Sequence, residues 1–394
     1  EVNIEYVELG DIHITSGVGN LLNGTDRGNN QGWNIMDRES SDYFWIGDGG
    51  LWSSPNHWSL TSGGAPAGCI PSSTDNVFFD QNSFSLDNQS VVINIPDASC
   101  KTMDWSGVTN SPILTGDEAN NLSISGSLYF DAGMTNDFQG RVSLVGALQG
   151  LEVRSAGNVF NTDVYFENPN GQWTVLDDID IGSALRIING HIIFDDVNID
   201  VSDFDSQIDT ERIIDFKSSV LNLITRGNFG AEARIQMANL TLNSENLIIN
   251  SYGPAAVIRL YGESSITFKE YNSYANSGYL ESYLYGDGNH LSIEKIYFKK
   301  SGGLIGEIRM DSLIMTGGNS YDLNDDRTHL FLNELILREP CYGIADIFTE
   351  DIFFIGTQAQ ITFQENRIID GFSFRDIKAN SDFGDVQVTR GVDA

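Results

Sequence analysis

Short apolar runs rich in Val, Ile, Leu and Phe alternate along the whole chain with clusters of Gly, Asn, Asp and Ser. VVINI (91–95), LSISGSLYF (122–130), LRIINGHIIF (185–194) and LTLNSENLIIN (240–250) are examples. Runs of this length between turn formers predict strands. No three-turn stretch carries a 3.6-residue apolar period, so helices are not expected. Only 8 prolines occur in 394 residues, so strands are rarely interrupted. Asn-Gly pairs begin at Asn23, Asn170 and Asn189 and mark turns that need positive φ.

The runs recur at a fixed distance. In the first half they start at Leu122, Val142, Val164 and Leu185, spaced 20, 22 and 21 apart. In the second half they start at Arg212, Arg234, Val257, Glu307 and Leu330, spaced 22, 23, 50 and 23, where the 50 holds two turns and a loop. Such a period in an all-β chain predicts a solenoid, here a right-handed parallel β-helix. One coil cannot bury its apolar side chains alone, but coils stacked at about 4.8 Å can. Roughly a dozen coils would give a rod about 50–60 Å long. A β-sandwich also yields strands every 8–12 residues or so. It has no reason, however, to repeat WTVLDD (173–178) as HIIFDD (191–196).

A longer repeat links the two ends. YVELGDIHI (6–14) is echoed by FSFRDIKAN (372–380), and Asp11 lies 365 residues before Asp376. GTDRGNNQGWNI (24–35) follows the first copy. The expectation is a piece of a tandem array: residues 1–34 the terminal coil of one unit, 43–80 a Trp-rich cap and entry strand, 81–394 the β-helix of the next. The opening EVNIEYVELG lacks the basic start and apolar centre of a signal peptide, which fits a mature chain or an internal fragment.

Residues 43–80 hold the densest motif. Trp45, Trp52 and Trp58 stand 7 and 6 apart, with Gly47, Gly49 and Gly50 among them. Flat indoles suit stacking on sugar rings, but they also suit closing a solenoid end, whose open core and strand edges need covering. The cap is the preferred reading. The pattern of Trp45, Gly47, Gly50, Trp52, His57, Trp58, Ser59, Pro71, Asp75, Val77 and Phe79 resembles the opening of repeat units in giant Bacteroidetes cell-surface proteins. These are adhesin-like, gliding-motility proteins exported by type IX secretion. Residues 24–35 look like the closing signature of the same units. Together the two motifs cover about 50 residues. The resemblance implies an extracellular, non-catalytic adhesin repeat whose partners are neighbouring repeat units and, as a candidate, surface polysaccharide.

Composition narrows the partners. Lys+Arg number 22 and Asp+Glu 55, a net charge of −33. That excess argues against nucleic acid, whose phosphates need cations, and against anionic membrane surfaces. No run of about 18 apolar residues exists to insert in a bilayer. Among the three cysteines, Cys69 and Cys100 are near enough in sequence to form a disulfide, which leaves Cys341 over or pairing elsewhere.

Several segments are candidates for chemistry. β-helices also host pectin-active enzymes, and Asn161-Thr162-Asp163, Asp177-Asp178, Gly190-His191-Ile192 and Arg234-Ile235-Gln236 follow the order of polygalacturonase motifs. Paired carboxylates there would activate water for inverting hydrolysis. Ile192 and Gln236 depart from that pattern, so no catalytic residue is assigned and the enzyme is the alternative reading. Oxygen-rich loops at Asp177, Asp178 and Asp180, at Asp195, Asp196 and Asp200, and at Asp322, Asn324, Asp325 and Asp326 are calcium candidates, the last set foremost, although none has EF-hand spacing. No other cofactor is expected. Tyr271, Tyr274, Tyr279, Tyr283 and Tyr285 form a Tyr-rich stretch that is the candidate glycan or surface contact.

Overall fold

The computed structural model describes residues 2–5, 8–22, 25–26, 28–36, 40–226, 230–284, 286, 288–323, 328–338, 345–348, 359–364, 368–381, 387–389 and 392–393. The chain is a parallel β-solenoid of about 12 turns. Among the described residues there is no α-helix, and the one 3₁₀ turn is Pro55–His57.

Stacking in register builds the core. Ala98, Leu122, Val142, Val164, Leu185, Phe204, Ala233, Ile258, Leu280 and Leu304 pair one above the next through successive turns. All are buried. A second inward column runs Ile179, Ile199, Leu221, Ile249, Tyr271, Ile296, Leu313 and Leu335. Many strands alternate buried and half-exposed positions, as in Val220–Ile224 and Ala256–Gly262. The two-residue side-chain period of a strand therefore assigns one set to the interior and the other to the outer face. A fully buried Leu or Ile contributes about 1.5–3 kcal/mol, and only a stack supplies that burial.

The first-half period is this register: Leu122, Val142, Val164 and Leu185 are direct partners. The second half is read differently. Arg212 pairs with Leu240, whereas Arg234 pairs with Asp205 below and Arg259 above, so the two arginines belong to different columns. Turn lengths explain the difference, since pairing offsets in this half range from 17 residues (Leu291 to Ile308) to 31 (His329 to Gln360). WTVLDD and HIIFDD do stack, but one residue out of the expected phase: Trp173 pairs with Ile192, and His191 with Gln172. A one-residue slip exchanges the two faces, which is why His191 is half-exposed while Trp173 is buried.

Register also corrects Tyr271. It falls in the second inward column and is fully buried, so it is a core residue and no surface contact. Its hydroxyl lies 3.4 Å from Ser251 Oγ, which donates to Ser273 Oγ at 3.2 Å. Gly278 makes room for this polar cluster, because a Cβ there would fall on Ser273 Oγ.

Polar ladders tie the turns together outside the core. Asn222 donates to Asp200 at 2.6 Å, Asn250 to Asn222 at 2.9 Å and Asn272 to Asn250 at 3.2 Å. Among the described residues, Arg212 is the one buried cation, only 1% exposed. It donates to Ser206 Oγ and to the carbonyls of Ser206, Thr210, Gln236 and Ala238, so it fastens two successive corners. Burial brings its pKa down to about 10.

Residues 2–36 form a parallel stack of their own, strands Val2–Glu5, Gly19–Leu22 and Trp33–Met36 in that order. Tyr43 pairs with Val77, Val77 with Met103 and Gly50 with Val91, which makes 43–80 the first coil of the main stack.

Gly278→Ala is expected to lower the unfolding free energy by about 1–3 kcal/mol through overpacking. Adding Ser273→Ala should return much of that loss in urea titrations; equal loss in the single and double variants would show that the clash lies elsewhere.

Candidate functional site

The Trp motif resolves into a closed plug. Trp45 and Trp58 are direct antiparallel partners, with ring centroids 5.0 Å apart at 89°. Trp52 meets Trp58 edge-on at 4.8 Å. All three are fully buried, so no indole face is open to a sugar. The His57 ring stacks on Trp45 at 4.8 Å and its Nδ1 donates to the Ile46 carbonyl at 2.9 Å. Gly50 is required because a Cβ would occupy the imidazole, and Gly47 takes φ 77° beside the same ring. Trp45 Nε1 donates to the Asp48 carbonyl and Trp58 Nε1 to that of Trp52. Buried Asp75 accepts from the Ser41 and Ser72 amides and the Ser72 hydroxyl at 2.8–3.0 Å, holding the loop that leads into Val77 and Phe79. The glycine and tryptophan spacing is therefore the geometry of an end-plug.

The densest charged arrangement lies on the outer face. Tyr165, Arg186, Asp205, Arg234, Arg259 and Glu281 stack in register over six turns. Arg186 bridges Asp163 at 2.8 Å and Asp205 at 2.7 Å. Arg234 reaches Asp205 at 3.2 Å, while Arg259 binds Glu232 and, at 2.6 Å, Glu281. Arg141 lies 3.6 Å over the Tyr165 ring and pairs with Glu167. Two cations are stacked directly at Arg234 and Arg259, and Glu232 between them offsets the repulsion. Isolated pairs at a surface are worth about 0–1 kcal/mol, but a continuous network is worth more.

Two carboxyls in this network are pushed apart. Burial works against ionising Asp163, yet bonds from Ser183, Arg186 and the Ala184 amide outweigh it and hold its pKa below the ordinary value. Burial raises Asp203, and the Glu232 amide at 3.0 Å only partly offsets this.

The other candidate residues do not converge on this face. Asp177 accepts from the Ser155 and Ala156 amides, and Asp178 from the Asn198 amide and side chain. Both carboxylates sit in the turn before strand Ile179–Phe194. Asp178, with Asp180, Asn198, Asp200 and Asn222, walls a shallow groove of about 240 Å³. His191 accepts from Gln172 further along that strand, and burial lowers its pKa. Of the polygalacturonase-like set, only Asp163 and Arg234 are joined, through Arg186 and Asp205.

Several calcium candidates are engaged in cross-turn bonds. Asp180 pairs with Arg226, Asp196 accepts from the Ser218 amide and Asp200 from Asn222. Asp322 ends strand Ser320–Asp322, whereas Asn324, Asp325 and Asp326 lie outside the described residues. Among the described residues no three His, Cys, Asp or Glu side chains group as metal ligands.

Cys69 and Cys100 are free thiols, which corrects the expected disulfide. Cys100 points into the core above Ala98 on strand Asp97–Cys100, and burial raises its pKa strongly. Cys69 sits in the cap loop, 3.0 Å from the Tyr43 hydroxyl. Cys341 lies outside the described residues.

The remaining tyrosines divide into two groups. Tyr274 is 38% exposed and stacks on Tyr252 at 5.2 Å, with Tyr297 edge-on at 6.0 Å. Tyr283 stacks on Tyr261 and donates to Glu281; burial and that carboxylate push its pKa to about 12. Tyr279 lies over Gly303, whose Cβ would meet its ring. Tyr285 lies outside the described residues. Sequence reading missed the charged ladder, Asp203 and Arg212. The ladder's spacings of 21, 19, 29, 25 and 22 become a column only when corner lengths are known.

Gly50→Ala is expected to force His57 off Trp45, costing about 1–3 kcal/mol, with loss of near-ultraviolet tryptophan dichroism. An unchanged spectrum would place the imidazole elsewhere. For Asp203, the folded pKa exceeds the ordinary value, so folding takes up a proton and stability falls as pH rises through that window. Asp203→Asn should therefore raise the melting temperature at pH 7, with the gain shrinking below the ordinary aspartate pKa of about 3.9. A lower melting temperature at pH 7 would contradict this. In comparisons with known proteins, no family model, no curated protein and no solved structure matches the chain.

Proposed function

We propose that the chain is a non-catalytic, stiff β-solenoid rod from a cell-surface protein, an adhesin repeat for attachment or gliding of the kind that Bacteroidetes export by type IX secretion. One observation carries this reading: the carboxylates that could do chemistry hold one turn to another instead. Asp163 is bound to Ser183, Ala184 and Arg186, and Asp177 and Asp178 to amides one turn away. Parallel backbone pairing along the axis, with polar ladders beside it, resists bending and local opening. The net charge of −33 keeps such rods apart in solution. The exposed Tyr252–Tyr274 pair is the candidate contact with a surface glycan.

The alternative is a polysaccharide-binding or polysaccharide-cleaving protein. It is favoured by Asp203, a carboxyl raised by burial in a face that also carries Arg186 and Arg234.

Incubation with polygalacturonate should release no reducing ends, and beads coated with the protein should be retained on a polysaccharide-coated surface under flow, less so for Tyr274→Ala. Turnover that disappears in Asp203→Asn or Asp177→Asn would replace the rod by the enzyme. Retention equal to that of bare beads would remove the adhesive role.

A further inference from the structure

The two ends of the chain carry the same coil. Near the start, strand Val2–Glu5 is followed by Glu8–Leu9, then by Asp11 at φ 57°. Near the end, Ile368–Asp370 is followed by Phe372–Arg375, then by Asp376, also at φ 57°. A left-handed non-glycine residue is uncommon, so its recurrence at the same place is specific. The pairings repeat as well. Ile4 pairs with Leu21 and Leu9 with Asp26; Ile369 pairs with Val388 and Phe374 with Asp393. The displacement is 365 residues in the first half of the coil and 367 in the second, a return two residues longer.

The difference lies in what comes next. In the first copy a third strand, Trp33–Met36, pairs in parallel on Gly19–Leu22, with Leu21 opposite Ile35. The turn leading to it is fastened to the coil below. Asn29 donates to Asp11 at 2.6 Å, Asn30 donates to the Leu9 carbonyl at 3.0 Å, and the Ile12 amide donates to Asn30 at 2.8 Å. In the second copy, Asp376 and Ile377 stand where Asp11 and Ile12 stand. The strand Gln387–Thr389 has, among the described residues, Ile368–Asp370 as its one partner.

We propose that the outer edge of Gln387–Thr389 is a docking site for a second copy of this chain's own segment 28–36, seated with Asn34, Ile35 and Met36 opposite Gln387, Val388 and Thr389. The recognition is parallel strand addition, in which backbone bonds supply affinity and the fastened turn supplies register. The proposal stands on the internal repeat and not on the adhesive role.

The full chain with residues 28–80 appended after Ala394 tests it. Amide hydrogen exchange at 387–389 should slow at least tenfold relative to the unextended chain, while exchange in the core columns stays the same. Ile35→Pro in the appended segment should return the fast exchange. Unchanged exchange on extension would overturn the proposal, and so would protection that survives the proline. A bead-adhesion failure would leave this readout untouched, so the two readings fail separately.

Discussion

A parallel coil offers its neighbour an edge of backbone donors and acceptors and a row of apolar side chains, and both must be matched in one register. Every other feature of this protein follows from that double requirement. If the backbone edges pair at the 4.8 Å or so of a parallel ladder, side chains at equivalent positions are forced into columns. The columns then decide which residues are interior. Ala98 through Leu304 form one such column, and its members vary from Ala to Phe because only polarity and joint volume are constrained.

Columns also explain the polar residues. An outward Asp or Asn has a neighbour of the next turn within hydrogen-bond reach, so ladders such as Asp200–Asn222–Asn250–Asn272 arise wherever the same phase is polar. With 55 acidic side chains against 22 basic ones, most carboxylates cannot find a cation. Three arginines, Arg186, Arg234 and Arg259, share one column, where each neutralises carboxylates from two turns. Corners need a different solution, since their carbonyls turn inward. Arg212 satisfies four of them from inside the core at the cost of a buried charge.

The same requirement is hardest to meet at an end, where a coil has a neighbour on one side only. At the start of the main stack the answer is aromatic: Trp45, Trp52, Trp58 and His57 fill the space that a preceding coil would fill, and two glycines keep that space open. Residues 2–26 and 368–393 share one coil layout, and the first of them is followed by a strand and then by this plug.

Read by itself, the chain already determined the all-β class, the solenoid, the first-half register from Leu122 to Leu185 and the Trp-rich motif as a dense aromatic cluster. These are carried by local pattern: apolar spacing where corners are of constant length, and a motif contained within 38 residues. Tertiary structure alone decided the rest. Tyr271 reads like its neighbours Tyr274 and Tyr279 but lies in the core, because Ile249 below and Ile296 above fix its phase. Cys69 and Cys100, close in sequence, belong to a loop and an inward strand position. Asp203 and the arginine column emerge only after offsets of 17–31 residues are summed along the stack. A strand's face depends on the parity of every residue before it, so one irregular corner erases in the sequence what pairing restores in space.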